Sequence, residues 1–173
     1  MSAGKIEIRF LEVIESHKGI LYKIANVYSK EEECRKDLIQ EIVYQLWRSF
    51  PNYNDQYKLS TWIYRIALNV SINFYKKEQK RSIISNRIEE SVFILSEDTN
   101  KSEPNPDLNL LQKCISELNE INKALIILHL EGNNHSEIAE ILGITTTNVS
   151  TKINRIKKVL KIKLQALKAR NYE

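Results

Sequence analysis

The sequence predicts an all-α protein made of two small helical domains joined by a flexible linker, the second domain being a helix-turn-helix. Apolar residues recur at helical spacing through most of the chain, and no alternating strand pattern competes with them. The 173 residues include only 4 glycines and 3 prolines, which favours long helices. The helical pattern fails in one acidic, proline-containing stretch. We therefore expect domains at 1–82 and 108–173, with an acidic flexible linker at 83–107.

Three helices are expected in the first domain, over about 6–28, 32–49 and 60–81. Pro51 and the turn-forming stretch "PNYND" separate the last two. Each helix has apolar residues that we expect to face the core. These are Ile6, Phe10, Val13, Ile14, Leu21, Ile24 and Ala25 in the first helix, Leu38, Ile39, Ile42, Val43, Leu46, Trp47 and Phe50 in the second, and Ile63, Ile66, Ala67, Val70 and Phe74 in the third.

The third helix has a second, polar stripe at steps of three or four residues: Trp62, Arg65, Asn69, Asn73, Lys76 and Lys80. Aromatic rings can stack on bases, amides can read base edges, and cations can hold a nucleic-acid backbone. The stripe is therefore compatible with binding to single-stranded nucleic acid. Trp62 and Tyr64 could instead fill the core, and the residues alone do not decide between these interpretations.

Charge is unevenly distributed along the chain. Residues 89–107 contain six acids against one lysine, whereas residues 151–170 contain eight basic residues and no acid. A basic block favours a polyanionic partner, although it is also compatible with a solvated helix face. The second helix carries Asp37, Gln40, Glu41, Gln45 and Arg48 opposite its apolar residues. An acidic surface repels DNA, so it is either a contact for a protein or a solvated face.

Several function classes find no support in the residues. Cys34 and Cys114 form no pair with metal-ligand spacing, and the three histidines have none either. There is no phosphate-binding glycine loop and no nucleophile with a neighbouring base. We therefore expect no enzymatic activity, no cofactor, no metal and no small-molecule substrate. The chain has neither a signal peptide nor an apolar run of about 18 residues, which predicts a soluble, cytoplasmic protein.

The second domain has the features of a helix-turn-helix, following one or two helices in "LLQKCISELNEINKALIILHLEG". Asn134 and Glu137 are spaced to cap one helix at its start, and Gly143 suits the left-handed residue that ends it. Thr145 can then cap a last helix, expected to run to Lys168. The residues expected to face inward are Ile138, Ala139, Ile141 and Leu142, followed by Val149, Ile153, Ile156, Leu160, Leu164 and Leu167.

The outer side of that last helix begins with short hydrogen-bonding residues and continues with cations. DNA-recognition helices use such an order, because amides and hydroxyls contact base edges while cations contact phosphates. An amphipathic hairpin with a basic solvated face is the alternative. The residues expected to bind DNA are Thr146, Thr147, Asn148, Ser150, Thr151, Lys152, Asn154 and Arg155.

Three stretches, taken together and in order, carry a family resemblance: "KDLIQEIVYQLW", "STWIYRIALNVSINFYKK" and "SEIAEILGITTTNVSTKINRIKKVL". The chain resembles the extracytoplasmic-function (ECF) sigma factors of the sigma-70 family. The resemblance implies a sigma factor that binds core RNA polymerase, directs promoter-specific initiation and is held by an anti-sigma factor. Asp37, Gln40 and Glu41 match the pattern that docks on the clamp helices of the largest polymerase subunit.

The resemblance also implies which residues contact promoter DNA. Residues 51–60 match a loop that captures a base flipped from the minus-ten element, with Asn69 beneath it, and Trp62 then serves mainly as packing. The implied minus-ten contacts are Asn52, Tyr53, Asn54, Ser60, Arg65, Asn69, Lys76, Lys77, Lys80 and Arg81. Residues 146–155 match the helix that reads the minus-35 element. Thr147 and Ser150 stand where the family usually has a small residue and a lysine.

Two other functions remain open at the level of the residues. A helix-turn-helix regulator could bind an operator without polymerase, in which case Asp37, Gln40 and Glu41 would have no partner. A helical adaptor would not need the polar-to-basic gradient on the last helix. Recovery of core polymerase on the immobilised chain separates a sigma factor from both.

Overall fold

In the computed structural model, residues 3–29, 31–85 and 106–171 are described, and every regular element within these ranges is helical. The predicted all-α class is confirmed. The described helices belong to two compact units. The first contains α1 (Ala3–Tyr28), α2 (Glu32–Ser49), a 3-10 turn (Phe50–Asn52) and α3 (Leu59–Ser85). The second contains α4 (Pro106–Ser116), α5 (Glu120–Leu130), α6 (His135–Leu142) and α7 (Thr146–Asn171).

In the first unit each of the three long helices packs against the other two. Phe10, Leu21 and Ile24 of α1 and Leu38 and Ile42 of α2 are buried, as the periodicity predicts. Phe10 is central to the aromatic part of this core, since its ring meets the Trp47 ring edge-on at 5.0 Å and the Phe50 ring at 5.3 Å.

The core of the first unit differs from the predicted one most clearly in α3 and at Trp47. In α3, Tyr64, Leu68 and Ile72 are buried in addition to Ile63 and Ala67, whereas Ile66, Val70 and Phe74, also expected in the core, are only half-buried. Because α3 contacts both α1 and α2, it buries a wider face than a single apolar stripe. Trp47 was expected to face inward, yet 42% of it is exposed, because it lies at the rim of the α1–α2 seam.

Helices extend slightly beyond the expected domain boundaries. α3 continues to Ser85 and α4 begins at Pro106, so both enter the predicted 83–107 linker. Proline suits the first turn of a helix, because the backbone N–H it lacks would have no partner there. The remainder of the predicted linker, 86–105, lies outside the described residues.

In the second unit α7 packs against α4, α5 and α6. Its buried residues Val149, Ile153 and Ile156 meet a core that includes Leu125 and Ile138. The "LLQKCISELNEINKALIILHLEG" stretch forms two helices, because Asn119 caps α5 by accepting a hydrogen bond from the Asn122 N–H at 2.9 Å. The long helix α7 thus anchors the other three.

Membrane-spanning and metal-binding features are both missing from the described ranges. No helix there combines the length and the apolar character needed to cross a bilayer. Within the same ranges, no group of three or more His, Cys, Asp or Glu residues is arranged to hold a metal ion.

Candidate nucleic-acid interface

The turn between α6 and α7 is closed by the caps that the sequence predicts. The Asn134 side chain accepts from the Glu137 N–H at 2.9 Å, and the Glu137 carboxylate accepts from the Asn134 N–H at 3.0 Å. Gly143 has φ 67°, a left-handed conformation that glycine adopts at little cost. The Thr145 hydroxyl accepts from the Asn148 N–H at 3.2 Å. These contacts orient the start of α7 relative to α6.

The start of α7 presents most of its predicted DNA-binding side chains to solvent. Val149, Ile153 and Ile156 occupy the buried side. Ser150 and Lys152 are half-buried at the edge of that side. The exposed residues are Thr146, Thr147, Asn148, Thr151, Asn154 and Arg155. The Thr151 hydroxyl donates to the Thr147 carbonyl at 2.9 Å, so it can offer DNA an acceptor while its hydrogen is already engaged.

The polar stripe of α3 also faces solvent. Asn69 is exposed one turn beyond the half-buried Arg65. The exposed cations Lys76, Lys77, Lys80 and Arg81 follow near the end of the helix. Arg81 forms an ion pair with Glu78 at 2.8 Å, and such exposed pairs are weak enough to exchange for a phosphate.

The loop before α3 is held in shape by Tyr53. Its N–H donates to the Phe50 carbonyl at 3.1 Å and its hydroxyl donates to the Tyr57 carbonyl at 2.7 Å. Burial, with the negative charge of Asp55, raises the pKa of the Tyr53 hydroxyl. Asp55 has φ 51°, a conformation that is uncommon outside glycine.

Aromatic and cationic side chains join this loop to α3. The Trp62 ring lies 5.2 Å from the Tyr53 ring and 6.1 Å from the Phe50 ring, so it packs beneath the loop. The Arg65 guanidinium lies over the Tyr57 ring, 4.8 Å from its centroid. Nothing in the apolar periodicity signals the roles of Tyr57 and Asp55, because both depend on the path of an irregular loop.

A separate candidate surface lies on α2. Asp37, Gln40 and Glu41 are exposed, while Leu38 and Ile42 on the opposite side are completely buried. Glu41 accepts a hydrogen bond from the Gln45 amide at 2.8 Å. The three predicted residues thus lie on one solvent-facing surface.

An apolar groove of about 450 Å³ adjoins this surface. Gln40 forms part of its wall, and the exposed rings of Tyr44 and Trp47 line it together with Leu11 of α1. Sequence periodicity assigns Trp47 to the core and therefore misses the groove. In the structure, the exposed rings of Tyr44 and Trp47 lie next to the polar surface formed by Asp37, Gln40 and Glu41.

Each of the two units matches a protein-family model. The family model described as Sigma-70 region 2 matches residues 13–81. The model described as Sigma-70, region 4, matches residues 108–160. The two matched ranges contain all the candidate interface residues.

Characterised relatives match over most of the chain. RNA polymerase sigma factor SigV of Bacillus subtilis is 28% identical over 152 residues, covering 87% of this chain and 88% of the relative. ECF RNA polymerase sigma factor SigW of the same species is 24% identical over 168 residues, covering 91% and 90%. Both alignments span the two units rather than one.

Solved structures share the fold. CnrH, in complex with the cytosolic domain of CnrY, has a TM-score of 0.66 at 17% identity and covers 92% of this chain and 90% of its own. The sigma factor RpoE of Bartonella quintana, in complex with the anti-sigma factor NepR, has a TM-score of 0.63 at 20% identity, covering 93% and 97%.

Proposed function

The chain belongs to the sigma-70 family as an ECF RNA polymerase sigma factor that directs promoter-specific transcription initiation, and we propose which of its surfaces bind the polymerase and which bind promoter DNA. The first unit binds core polymerase through α2 and the minus-ten element through the loop and α3. The second unit binds the minus-35 element through α7. The observation that carries the proposal is the helix-turn-helix, whose caps present the polar start of α7 to solvent.

The polymerase contact consists of Asp37, Gln40 and Glu41. Their exposure, with the α2 core on the opposite side, supports a role in binding rather than in folding. Negative charge makes this face unsuited to DNA and suited to a basic protein surface. The aromatic groove beside Gln40 can supply the apolar anchors that dominate most interfaces.

The minus-ten contact is formed by the loop and the polar stripe of α3. Asn52, at the end of the 3-10 turn, and Asn54 are exposed, whereas Tyr53 and, in the first turn of α3, Ser60 are half-buried. A flipped base needs a pocket to recover the few kcal/mol that unstacking costs. Arg65 and Asn69 border the proposed pocket, while the four cations at 76–81 hold the DNA backbone.

The minus-35 contact is formed by the first three turns of α7. A recognition helix places its N-terminal residues against base edges in the major groove. Thr146, Thr147, Asn148 and Thr151 are exposed at that end, and Arg155 follows on the same helix for phosphate contact. Ser150, Lys152 and Asn154 complete the proposed surface.

We further propose that the protein acts in the cytoplasm without enzymatic activity of its own and is held by an anti-sigma factor. Two structural neighbours were solved as complexes, one with the cytosolic domain of CnrY and one with the anti-sigma factor NepR. A shared fold makes a comparable complex feasible here. Residues 1–82 and 108–173 are proposed as independently folding domains joined by the 83–107 linker.

In vitro transcription with purified core polymerase and a promoter library, randomised at both elements, tests the function. We expect selected promoters to share two sequence blocks. Asn148→Ala should relax only the upstream block, and Asn69→Ala only the downstream one. Asn26→Ala, an exposed amide on α1, is the matched control and should leave both blocks unchanged. Selection of a single block, or none, would contradict the proposal.

A further inference from the structure

The hydroxyl of Thr151 has its hydrogen fixed within α7. Thr151 is exposed near the start of the helix, on the side away from the buried Val149 and Ile153. Its Oγ1 lies 2.9 Å from the carbonyl oxygen of Thr147. Because a carbonyl oxygen only accepts hydrogen bonds, the one hydroxyl hydrogen of Thr151 must point along this contact. The lone pairs of Oγ1 are therefore what this hydroxyl offers to a ligand.

The neighbouring hydroxyls are arranged differently. The Thr145 hydroxyl accepts from the Asn148 N–H at 3.2 Å and so serves the helix cap. In the part of the chain that the structure describes, the hydroxyls of Thr146 and Thr147 make no hydrogen bond, and each can turn to donate or to accept. Of these three exposed threonines in the described helix, at 146, 147 and 151, Thr151 is the one whose hydroxyl is restricted to accepting.

The Thr151 side chain is also held in one orientation. A helical threonine divides between two rotamers, because its hydroxyl can bond a carbonyl of the preceding turn, and Thr151 has formed that bond. Its oxygen and its methyl group therefore have fixed directions before DNA binds. A side chain that is already in place loses little entropy on binding, so more of its contact energy remains to discriminate between bases.

The base edges in the major groove fall into two classes for such a group. Adenine and cytosine each present an exocyclic amine that donates, whereas guanine presents two acceptors and thymine presents one acceptor beside its methyl group. An oxygen that only accepts pairs with an amine and is repelled by another acceptor. Thr151 should therefore favour adenine or cytosine on the strand that it contacts and disfavour guanine and thymine.

We propose that Thr151 determines the base at one position of the minus-35 element by accepting a hydrogen bond from the amine of adenine or cytosine. This inference rests on the proposed contact of α7 with that element, and it adds the chemical class of base that one residue recognises. Arg155 is exposed one turn further along the helix. A phosphate contact there fixes the register of α7 and keeps Thr151 at the base edge.

Binding selection from a promoter library randomised at the minus-35 element tests the preference, with the full-length chain bound to core polymerase. Thr151→Val keeps the branched shape but lacks the acceptor, whereas Thr151→Ser keeps the acceptor. We expect one position at which the parent chain and the serine variant enrich adenine or cytosine and the valine variant does not. Thr147→Val, the same change one turn earlier, is the matched control and should leave that position unchanged. Guanine or thymine at the position that Thr151→Val alters would overturn the proposal.

Removing the amine from the base gives a second measurement. Purine in place of adenine, or 2-pyrimidinone in place of cytosine, deletes the donor at that position of the duplex. The valine variant reports any effect of the altered base pair itself. Because one hydrogen bond is lost, the parent chain should lose roughly two- to tenfold more affinity than the valine variant. An equal loss in both chains would show that another group contacts the amine and would overturn the proposal.

The selection also separates this inference from the proposed function. An upstream block in which Thr151→Val alters no position would overturn the role of Thr151 and leave the proposed function intact. Absence of any upstream block with the parent chain would contradict the proposed function, and this inference with it.

Discussion

The guanidinium of Arg65 lies over the ring of Tyr57, 4.8 Å from its centroid, and so connects α3 to the loop that precedes it. A cation over an aromatic face at an exposed site contributes about 0.5–1 kcal/mol. The proposed minus-ten pocket lies between these two elements. Their relative position should therefore influence how well a flipped base is held.

Tyr57→Ala should slow promoter opening by roughly two- to fivefold, the factor that corresponds to about 0.5–1 kcal/mol. Tyr57→Phe keeps the ring face and should behave like the parent chain. Stopped-flow fluorescence of open-complex formation measures the rate. Equal rates for the alanine and phenylalanine variants would show that the ring is not required.

We expect strongly reduced binding to core polymerase when alanine replaces Asp37, Gln40 and Glu41 together. The free energy of unfolding should change by less than about 1 kcal/mol, because exposed positions contribute little to stability. Urea denaturation and binding to immobilised core measure the two quantities. The matched control is Glu12→Ala with Glu15→Ala, two exposed acids of α1. Early melting with intact core binding would make the surface structural.

Asn69→Ala should depress transcription from the best promoter without changing how DNA binding responds to salt. The amide carries base discrimination but no charge, so no counterion release depends on it. Permanganate footprinting of the open complex and binding titrations at several salt concentrations check the two parts. Normal opening and unchanged promoter preference would mean that the stripe is only a solvated face.

Lys76→Gln with Lys77→Gln should have the opposite effect and flatten the log–log salt slope by roughly 0.7–0.9 for each phosphate that the variant no longer neutralises. Promoter preference should remain, because backbone contacts carry no base information. Lys5→Gln with Lys18→Gln removes two exposed cations of α1 and serves as the control. An equal change in slope for both pairs would indicate a general charge effect.

Asn134→Ala should destabilise the second unit by about 0.5–2 kcal/mol, because the variant leaves the Glu137 N–H without its capping acceptor. Asn134→Ser retains an acceptor and should be destabilised much less. Thermal unfolding of the isolated 106–173 fragment measures this effect, and a cooperative transition of that fragment also tests independent folding. Identical stability of the two variants would show that the capping box does not stabilise α6.

Much of this fold could be predicted because its helices follow one periodicity. The bounds of α2 and the capped turn at Asn134, Gly143 and Thr145 agree with the prediction. Periodicity fails where a helix has more than one packed side, as at Leu68, or where an aromatic residue lies at a seam, as at Trp47. A single apolar stripe in the sequence shows which side of a helix faces the core, but it does not show how wide the buried face is.

In the candidate site, too, some features could be predicted from the sequence and others could not. Exposure of Asn69 and of the start of α7 follows from their positions opposite buried residues. The shape of the loop could not be predicted, because it depends on the left-handed Asp55 and on a hydrogen bond within the loop from the Tyr53 side chain to a main-chain carbonyl. The apolar groove beside Gln40 has walls from two helices, α1 and α2, so no local pattern reveals it.

The hydrogen bonds of Tyr53 both end on main-chain carbonyls, those of Phe50 and Tyr57. Neither bond depends on the side chain at Asn52, which is exposed beside them. If Asn52 contacts the flipped base as proposed, a substitution at residue 52 could change the preferred base while the loop keeps its path. Under that proposal, one substitution with little effect on folding stability would redirect this protein to different promoters.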